Sequence, residues 1–186
     1  MRIKTTLLTG TLCLALTPVA LAQNFVLGGP VFNPDNGHSY YLLGAAPWTT
    51  SEAEAISLGG HLATINNAAE DAFVYANFSN FGGEIRNLWL GLNDAAITGT
   101  YTWTSGEPFV YSHFNPGEPN HNGAEHYIHI YTFGGSGWND AADTAPGITG
   151  AVYGVVEFTA VPEPAEYAAV AGLALVAFGA WRRTRR

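Results

Sequence analysis

Cysteine and cationic residues are both scarce in this 186-residue sequence. The one cysteine, Cys13, lies within residues 1–22, so residues 23–160 contain no cysteine that could form a disulfide. The same span carries 13 acidic residues against one cationic residue, Arg86, a net charge of −12 with histidine neutral. Such a surface repels nucleic acid and anionic lipid and attracts cations. These absences argue against nucleic-acid binding and leave packing, alone or together with a metal ion, to stabilise the domain.

The N-terminal segment, residues 1–22, is predicted to be a secretory signal peptide. Arg2 and Lys4 precede an interrupted apolar run, and the segment ends in the small-x-small pattern Ala20-Leu21-Ala22. The apolar run is too short and too interrupted for a membrane anchor. We therefore expect the protein to be exported and exclude this segment from the fold.

The C-terminal segment, residues 161–186, reads as a sorting signal. Residues 165–181 are almost wholly apolar and about as long as the shortest transmembrane helices, and an arginine-rich tail follows them. The order Pro-Glu-Pro, apolar helix, arginine tail resembles the PEP-CTERM signal of exported bacterial proteins. That resemblance implies a Gram-negative source and transient anchoring in the inner membrane. It also implies removal of the tail by an exosortase-type enzyme, with delivery to the cell surface or extracellular matrix. Permanent anchoring is the alternative.

The span between these segments, residues 23–160, has the length of one domain. A first helix is expected to start at residues 48–51 and run to about Leu58, with Ser51 and Glu54 as a capping box. The glycine pair that follows Leu58 is expected to end this helix.

A second helix and several short strands are predicted after the first helix. Asn67 and Glu70 have the spacing of an N-cap and its partner, and Val74 and Phe78 share one face of the helix. Two early helices followed by strands and long loops indicate an α+β fold. Strands or extended segments are expected at residues 38–43, 61–65, 88–92, 101–103, 127–131 and 152–158.

Five fragments then carry a resemblance that covers nearly the whole domain. They are WTTSEAEAISLGGHLATI, WLGL, GEPN, WND and VVEF, in this order. Together they resemble the C-type lectin domain. The resemblance implies a C-type lectin-like fold over residues 23–160, with two helices, short antiparallel sheets and a long calcium-binding loop region.

The two disulfides that are typical of this family are replaced here at both members of each pair. The resemblance places Ala55 and Val156 where the cysteines of the first helix and last strand stand, and Tyr127 and Asp143 where the second pair stands. The long loop region therefore has less covalent restraint.

Two groups of oxygen-bearing side chains suggest a cation site. One group falls within residues 118–125, and the other follows Trp138 after a strand and a glycine-rich turn, so a hairpin-like return brings the groups together. Carboxylate and amide oxygens suit a hard cation that takes about 6–8 oxygen ligands, typically Ca²⁺. The predicted calcium ligands, and equally the predicted carbohydrate-binding residues, are Glu118, Asn120, Glu125, Asn139 and Asp140.

Counting ligands suggests carbohydrate binding. Five side chains and one backbone carbonyl near Asp140 leave about two positions of an eight-coordinate ion, which a pair of vicinal sugar hydroxyls would fill. The Glu-Pro-Asn tripeptide resembles the family form that favours mannose, fucose or N-acetylglucosamine, in which the proline is cis. The alternative function is a structural or protein-interaction module in which calcium only orders the loop.

Other chemistries are disfavoured by the sequence. His121, His126 and His129 are spaced unlike a metallopeptidase zinc motif and are expected to be surface or half-buried residues. No nucleophilic triad is recognisable, and an amide-rich metal pattern argues against Glu118 and Glu125 as a glycosidase pair. We therefore expect no enzymatic activity. The resemblance also implies that an auxiliary calcium site is impaired, since Asp94 remains there but His121, His126 and Thr98 replace other ligands.

Overall fold

The computed structural model of the protein describes three stretches of chain, residues 26–121, 123–145 and 150–159. The predicted signal peptide, residues 1–22, and the predicted sorting signal, residues 161–186, lie outside the described residues. Within the described stretches, no helix is long and apolar enough to cross a membrane.

The described domain has the predicted α+β composition, with two α-helices and one eight-stranded sheet. Two short 3-10 helices lie in connections, Phe81–Gly83 after the second α-helix and Thr132–Gly134 between two strands. The elements in chain order are β1 Val26–Asn33, β2 His38–Ala45, α1 Trp48–Ser57, β3 His61–Leu62, α2 Ala68–Phe78, β4 Asn87–Asn93, β5 Thr102–Trp103, β6 Tyr127–Ile130, β7 Trp138–Ala141 and β8 Val152–Phe158.

The sheet is mixed, whereas the resemblance implied antiparallel sheets. Its main path runs β1-β2-β8-β4-β6-β7, with β3 added to β8 and β5 to β4. The pair β4–β8 is parallel, with Leu88 opposite Tyr153, and the other strand pairs are antiparallel. The last strand, β8, lies between β2 and β4, so the C-terminal strand of the described domain is central in the sheet and β1 is at its edge.

The start of α1 differs from the predicted capping box. The helix begins one turn earlier than Ser51, after Pro47, and Ser51 lies buried inside it. The first-turn amides are instead satisfied by Asp143, whose carbonyl accepts from the Trp48 amide at 3.0 Å and whose Oδ1 accepts from the Thr49 amide at 2.8 Å. The prediction was wrong because the acceptor comes from the far end of the chain.

The other predicted helix boundaries are confirmed. After Leu58, the Gly59 amide donates to Ile56 and the Gly60 amide to Ala55, a Schellman arrangement in which Gly59 has φ of +93°. At the start of α2, the Asn67 side chain accepts from the amides of residues 69 and 70, both at 3.0 Å.

The core lies between the helices and the centre of the sheet. Strands β2, β5, β7 and β8 contribute to this core together with α2, β4 and β6. The core residues of α2, β4 and β6 are all fully buried: Val74, Phe78, Leu88, Leu90, Leu92, Ile128 and Ile130. The predicted faces of α2 and β6 are therefore confirmed.

The residues at the positions where the resemblance implies cysteines are held by non-covalent contacts. Ala55 and Val156 are both fully buried in one apolar cluster with Leu43. At the second pair, Tyr127 stacks on Trp48 with ring centroids 4.5 Å apart, while Asp143 binds the start of α1. Side-chain packing and hydrogen bonds thus connect both places that lack a covalent link.

His129 is fully buried, whereas the sequence predicted a surface or half-buried residue. Its strand, β6, pairs with β4 and β7, and the cross-strand neighbours of His129 are Trp89 and Asn139. The ring packs edge-on against Trp89 at 5.6 Å, and burial lowers the pKa of His129 to about 4. His129 is therefore a neutral core residue at neutral pH.

Candidate functional site

Two segments that carry predicted ligands run side by side. Trp138, at the start of β7, is fully buried, and its amide donates to the His113 carbonyl at 2.7 Å. The Asn115 amide returns a bond to the Trp138 carbonyl at 2.9 Å, and the Glu118 amide donates to the Asn115 carbonyl at 2.9 Å. The segment that leads to Glu118 is therefore fixed against the strand that carries residues 139 and 140.

The buried Asp140 carboxylate is the centre of the candidate site. Its Oδ1 accepts from the Asn120 amide at 3.1 Å, and its Oδ2 accepts from the His121 amide at 2.8 Å. The Glu118–Pro119 peptide bond is cis, as the resemblance implies, and His121 has φ of +52°. Residues 118–121 thus wrap around one carboxylate of the other segment.

Glu118 lies against Asp140, so two acidic side chains meet. Burial, then contact with the Asp140 carboxyl and the charges of Asp140 and Glu125, raise the pKa of Glu118 above its ordinary value. Glu118 Oε2 is buried and has no hydrogen-bond partner among the described residues. Two carboxylates in this arrangement need either a shared proton or a cation to offset their repulsion.

Two more buried polar atoms without a hydrogen-bond partner among the described residues belong to the same site. They are the Tyr101 hydroxyl and His121 Nδ1. Burial, and then the charges of Asp94, Asp140 and Glu118, raise the pKa of Tyr101. The Tyr101 and His121 rings stack, with centroids 6.0 Å apart and planes 17° apart. Unsatisfied buried polar groups are costly, so their clustering here indicates a ligand site.

The Asn139 side chain is hydrogen-bonded to the backbone of the neighbouring Asp140. Its Nδ2 donates to the Asp140 carbonyl at 2.9 Å and lies 3.4 Å from His129 Nε2. Glu125 acts on the site through the charge that it places near Glu118. The structure therefore brings Glu118, Asn120 and Asp140 into direct contact, with Glu125 and Asn139 around them.

Two imidazoles lie beside Asp94, the acid that the resemblance assigns to an auxiliary calcium site. Asp94 is fully buried and accepts from His126 Nδ1 at 2.9 Å and from the Gly99 amide at 2.6 Å. His121 Nδ1 lies 3.5 Å from Asp94 and 3.6 Å from Asp140. Histidine therefore stands between the two buried aspartates.

A second group of possible metal ligands was not predicted from the sequence. Ligand atoms of His38, Glu70 and Glu157 lie within 4.8 Å of one another. The Tyr40 hydroxyl lies between the two carboxylates, 2.6 Å from Glu70 and 3.0 Å from Glu157. Burial raises the pKa of Glu157, and His38 binds its carboxyl. With an imidazole among three ligands, this group suits calcium less well than the all-oxygen group around Asp140.

Sequence reasoning did not identify Tyr101 as part of the site. Tyr101 precedes the buried Trp103 in an aromatic strand pattern, which predicts packing and gives no sign of nearby acids. The separation of Tyr101 from Glu118 along the chain hides their proximity, so only the fold reveals it.

Comparison with known proteins shows that these residues lie within a region that matches a known domain family. The family model for the lectin C-type domain matches residues 45–147, which include all five predicted ligands. The galactose-specific lectin nattectin of Thalassophryne nattereri is 37% identical over 99 residues, 53% of this chain and 62% of that protein. The chain therefore matches less than two thirds of the length of this relative.

Two solved structures are similar over most of their own length. The cow CD23 C-type carbohydrate-recognition domain, in a crystal structure with a GlcNAc2Man3 oligosaccharide, is 28% identical with a TM-score of 0.56. The match covers 67% of this chain and 89% of that one. The C-type lectin CEL-I of Cucumaria echinata is 26% identical with a TM-score of 0.58, covering 64% and 89%.

Proposed function

Because the chain belongs to the C-type lectin domain family, which is generally carbohydrate-binding and typically not enzymatic, we propose that it is a calcium-dependent lectin. The ion is held between the segment that contains residues 118–125 and strand β7, and a sugar completes its coordination. The residues that hold the ion and the sugar are Glu118, Asn120, Glu125, Asn139 and Asp140.

The observation that carries this proposal is the buried Glu118 Oε2, which has no hydrogen-bond partner among the described residues, in a segment that is hydrogen-bonded to the buried Asp140 carboxylate. Arg86 is the one lysine or arginine in residues 26–159, and it binds Glu84 at 2.6 Å. The acids at the site therefore lack a lysine or arginine among the described residues. A dication between them offsets the repulsion and gives the buried Glu118 Oε2 a ligand.

Asn139 has to turn its side-chain amide to join the ion. An amide nitrogen carries only donors, and here it donates to the Asp140 carbonyl at 2.9 Å. Rotating the amide by about 180° exchanges its nitrogen for its oxygen. The amide oxygen and the Asp140 carbonyl oxygen then face each other, an arrangement that is stable only with a cation beside both.

The sugar hydroxyls would enter the positions that the protein leaves open. Each hydroxyl gives one lone pair to the ion, donates its proton to a carboxylate and accepts from an amide. Glu118 only accepts, whereas Asn120 also donates, so the pair forms an asymmetric clamp. We propose mannose, fucose or N-acetylglucosamine as the sugar class on the basis of this Glu-Pro-Asn order. The cow CD23 domain, solved in the presence of an oligosaccharide of GlcNAc and mannose, supports a sugar of this class.

Chromatography on immobilised mannan tests the function. We expect the exported domain to be retained in buffer with millimolar calcium and to elute when a chelator removes the ion. Free mannose should elute it as well, whereas galactose should leave it on the column. A domain that melts at higher temperature with calcium but binds no glycan would instead support the alternative, a structural or interaction module. One observation favours that alternative. The backbone amides of Asn120 and His121 donate to the Asp140 carboxylate, so residues 118–121 are already attached to β7, and an ion at this place would hold them there more firmly.

Acid elution from the same column should follow if carboxylates hold the ion. Protons compete with calcium for ligating carboxylates, so elution is expected at about pH 4–5. Without calcium, acid should have the opposite effect on the domain, because the pKa of Glu118 is raised by folding. The contribution of Glu118 to the free energy of unfolding is then fully present below about pH 4.5, its ordinary pKa, and is lost as the pH rises through the raised pKa. Retention that does not change across this range would contradict carboxylate ligation.

We further propose that the protein is exported and only transiently anchored. The predicted signal peptide and the resemblance of residues 161–186 to a PEP-CTERM signal support this. The mature protein then has no membrane segment and meets glycans at the bacterial surface or in the extracellular matrix. Its intact mass should lack residues 1–22 and the C-terminal tail, and an exported protein that retained the tail would contradict processing.

A further inference from the structure

Asp71 in α2 binds three side chains, although it is remote in sequence from the proposed ligands. Its side chain is buried, and the residue is only 4% exposed. Oδ1 accepts from the Trp138 indole at 3.0 Å, and Oδ2 accepts from His113 Nδ1 and from the Tyr111 hydroxyl, the latter at 3.3 Å. One buried carboxylate thus holds donors from two separate parts of the chain.

The donors on Asp71 belong to the two segments that carry the proposed ligands. Trp138 directly precedes Asn139 and Asp140 in β7. His113 lies in the segment that leads to Glu118, and its carbonyl accepts from the Trp138 amide at 2.7 Å. The two carboxylate oxygens of Asp71 are therefore divided between these segments, one oxygen for each.

We infer that Asp71 is a positioning residue that sets the spacing of the two ligand segments, an inference that rests on the proposed calcium site. The rigid carboxylate fixes the indole of Trp138 and the ring of His113 relative to one helix. Charge-assisted hydrogen bonds are short and strong, so His113 and Trp138, which precede the proposed ligands in the two segments, are held in place before any ion binds. In a domain without disulfides this preorganisation replaces a covalent restraint on the loop region.

The neighbouring residue Glu70 offers a matched control. It lies on the same helix, is 3% exposed, and also accepts several hydrogen bonds through both oxygens. Its partners are the Tyr40 hydroxyl, the Asn36 amide group and the backbone amide of Asn66, which belong to the other side of the domain. Removing Glu70 deletes a comparable buried carboxylate without touching either ligand segment. Glu70 also belongs to the His38, Glu70 and Glu157 group, and calcium bound there would show as a lost site in the stoichiometry of Glu70→Ala and not as a changed Kd of the proposed site.

Calcium titration calorimetry on Asp71→Ala and Glu70→Ala tests the inference. Loss of a group that orients metal ligands typically costs about 10–100-fold in metal affinity. We expect Asp71→Ala to raise the calcium Kd by this factor with the stoichiometry unchanged, and Glu70→Ala to change the Kd by less than about threefold. Both are measured at a temperature where each variant is folded, as checked by circular dichroism.

Hydrogen exchange without calcium provides a readout that does not depend on the ion. Amides in residues 113–118 and 138–140 should exchange at least about tenfold faster in Asp71→Ala than in wild type, and at the wild-type rate in Glu70→Ala. Trp138→Phe keeps an aromatic ring but loses the indole donor, so it should loosen β7 more than the segment around His113. This variant keeps the inference testable if Asp71→Ala fails to fold.

The outcomes separate the inference from the proposed function. A wild-type domain that binds no calcium overturns the proposed lectin site, and the positioning role with it. A wild-type domain that binds calcium, together with an Asp71→Ala or Trp138→Phe variant of unchanged Kd and exchange, overturns the inference alone. Equal losses in Asp71→Ala and Glu70→Ala would also overturn it, because they would reduce both residues to general stabilisers of α2.

Discussion

Replacing Asn139 with alanine is expected to weaken calcium binding by about two orders of magnitude while the ion-free domain keeps its fold. Coordination number and ligand charge set calcium affinity, and the variant removes one oxygen ligand from the proposed set. The side chain is half-buried, and its hydrogen bond at 2.9 Å goes to the neighbouring Asp140 carbonyl. Titration calorimetry on chelator-treated protein measures the change, and thermal melting without calcium should move little.

Asn77→Ala is the control for this prediction. Asn77 is also half-buried, and its Nδ2 likewise donates to a backbone carbonyl, that of Phe73 at 2.8 Å, but within α2. The control therefore loses the same chemical group away from the site and should keep the wild-type calcium affinity. An Asn139→Ala variant with the affinity of Asn77→Ala would remove Asn139 from the ligand set.

The second large effect is expected from a new disulfide between residues 55 and 156. The family resemblance places cysteines at these positions, and Ala55 and Val156 are buried together in one apolar cluster. Closing a loop of about 100 residues stabilises a domain by about 4–5 kcal/mol in the chain-entropy treatment. The variant Ala55→Cys with Val156→Cys should therefore melt well above wild type under oxidising conditions.

Reduction of the engineered disulfide gives the internal control. Residues 23–160 contain no other cysteine, so mispairing within the domain is impossible. The reduced variant should be less stable than wild type, because Val156→Cys removes apolar volume from the core. Equal melting temperatures for the oxidised and reduced variant would show that the geometry of this pair does not accept a disulfide. Calcium affinity should be the same in both forms, since the pair lies in a cluster separate from the site.

Elements whose signals are local in sequence were predicted well. Strand β8 has the predicted bounds, Val152–Phe158, and α2 begins at the Asn67 cap that the sequence indicates. Both depend on neighbouring residues. In β8 the signal is a short segment rich in valine and aromatic residues, and in α2 it is a side-chain acceptor two or three residues before its donors.

Elements that depend on distant parts of the chain were missed or misread. Strand β1 contains a Gly-Gly-Pro sequence, which is typical of a loop, and it forms by pairing with β2 across two register shifts. The start of α1 is bound by Asp143, and His129 is buried beside its cross-strand neighbours Trp89 and Asn139. A local pattern contains no information on either kind of contact.

The candidate site shows the same division. Its predicted ligands follow from motif chemistry, because oxygen-rich side chains at fixed spacing indicate a hard cation. Tyr101 and Asp71 were not predicted, since an aromatic residue in a strand and an acid in the first turn of a helix have ordinary structural explanations. Their relation to the site appears only when the fold brings them to Asp140 and Trp138.

A crystal structure of the domain with calcium and mannose is the most direct test of the central claim. We expect anomalous density for one calcium ion that contacts Glu118, Asn120 and Asp140, with the Asn139 amide oxygen turned towards it. Two neighbouring mannose hydroxyls should complete the coordination. An ion that binds elsewhere, or whose coordination is completed by protein atoms with no place for a sugar, would contradict the claim.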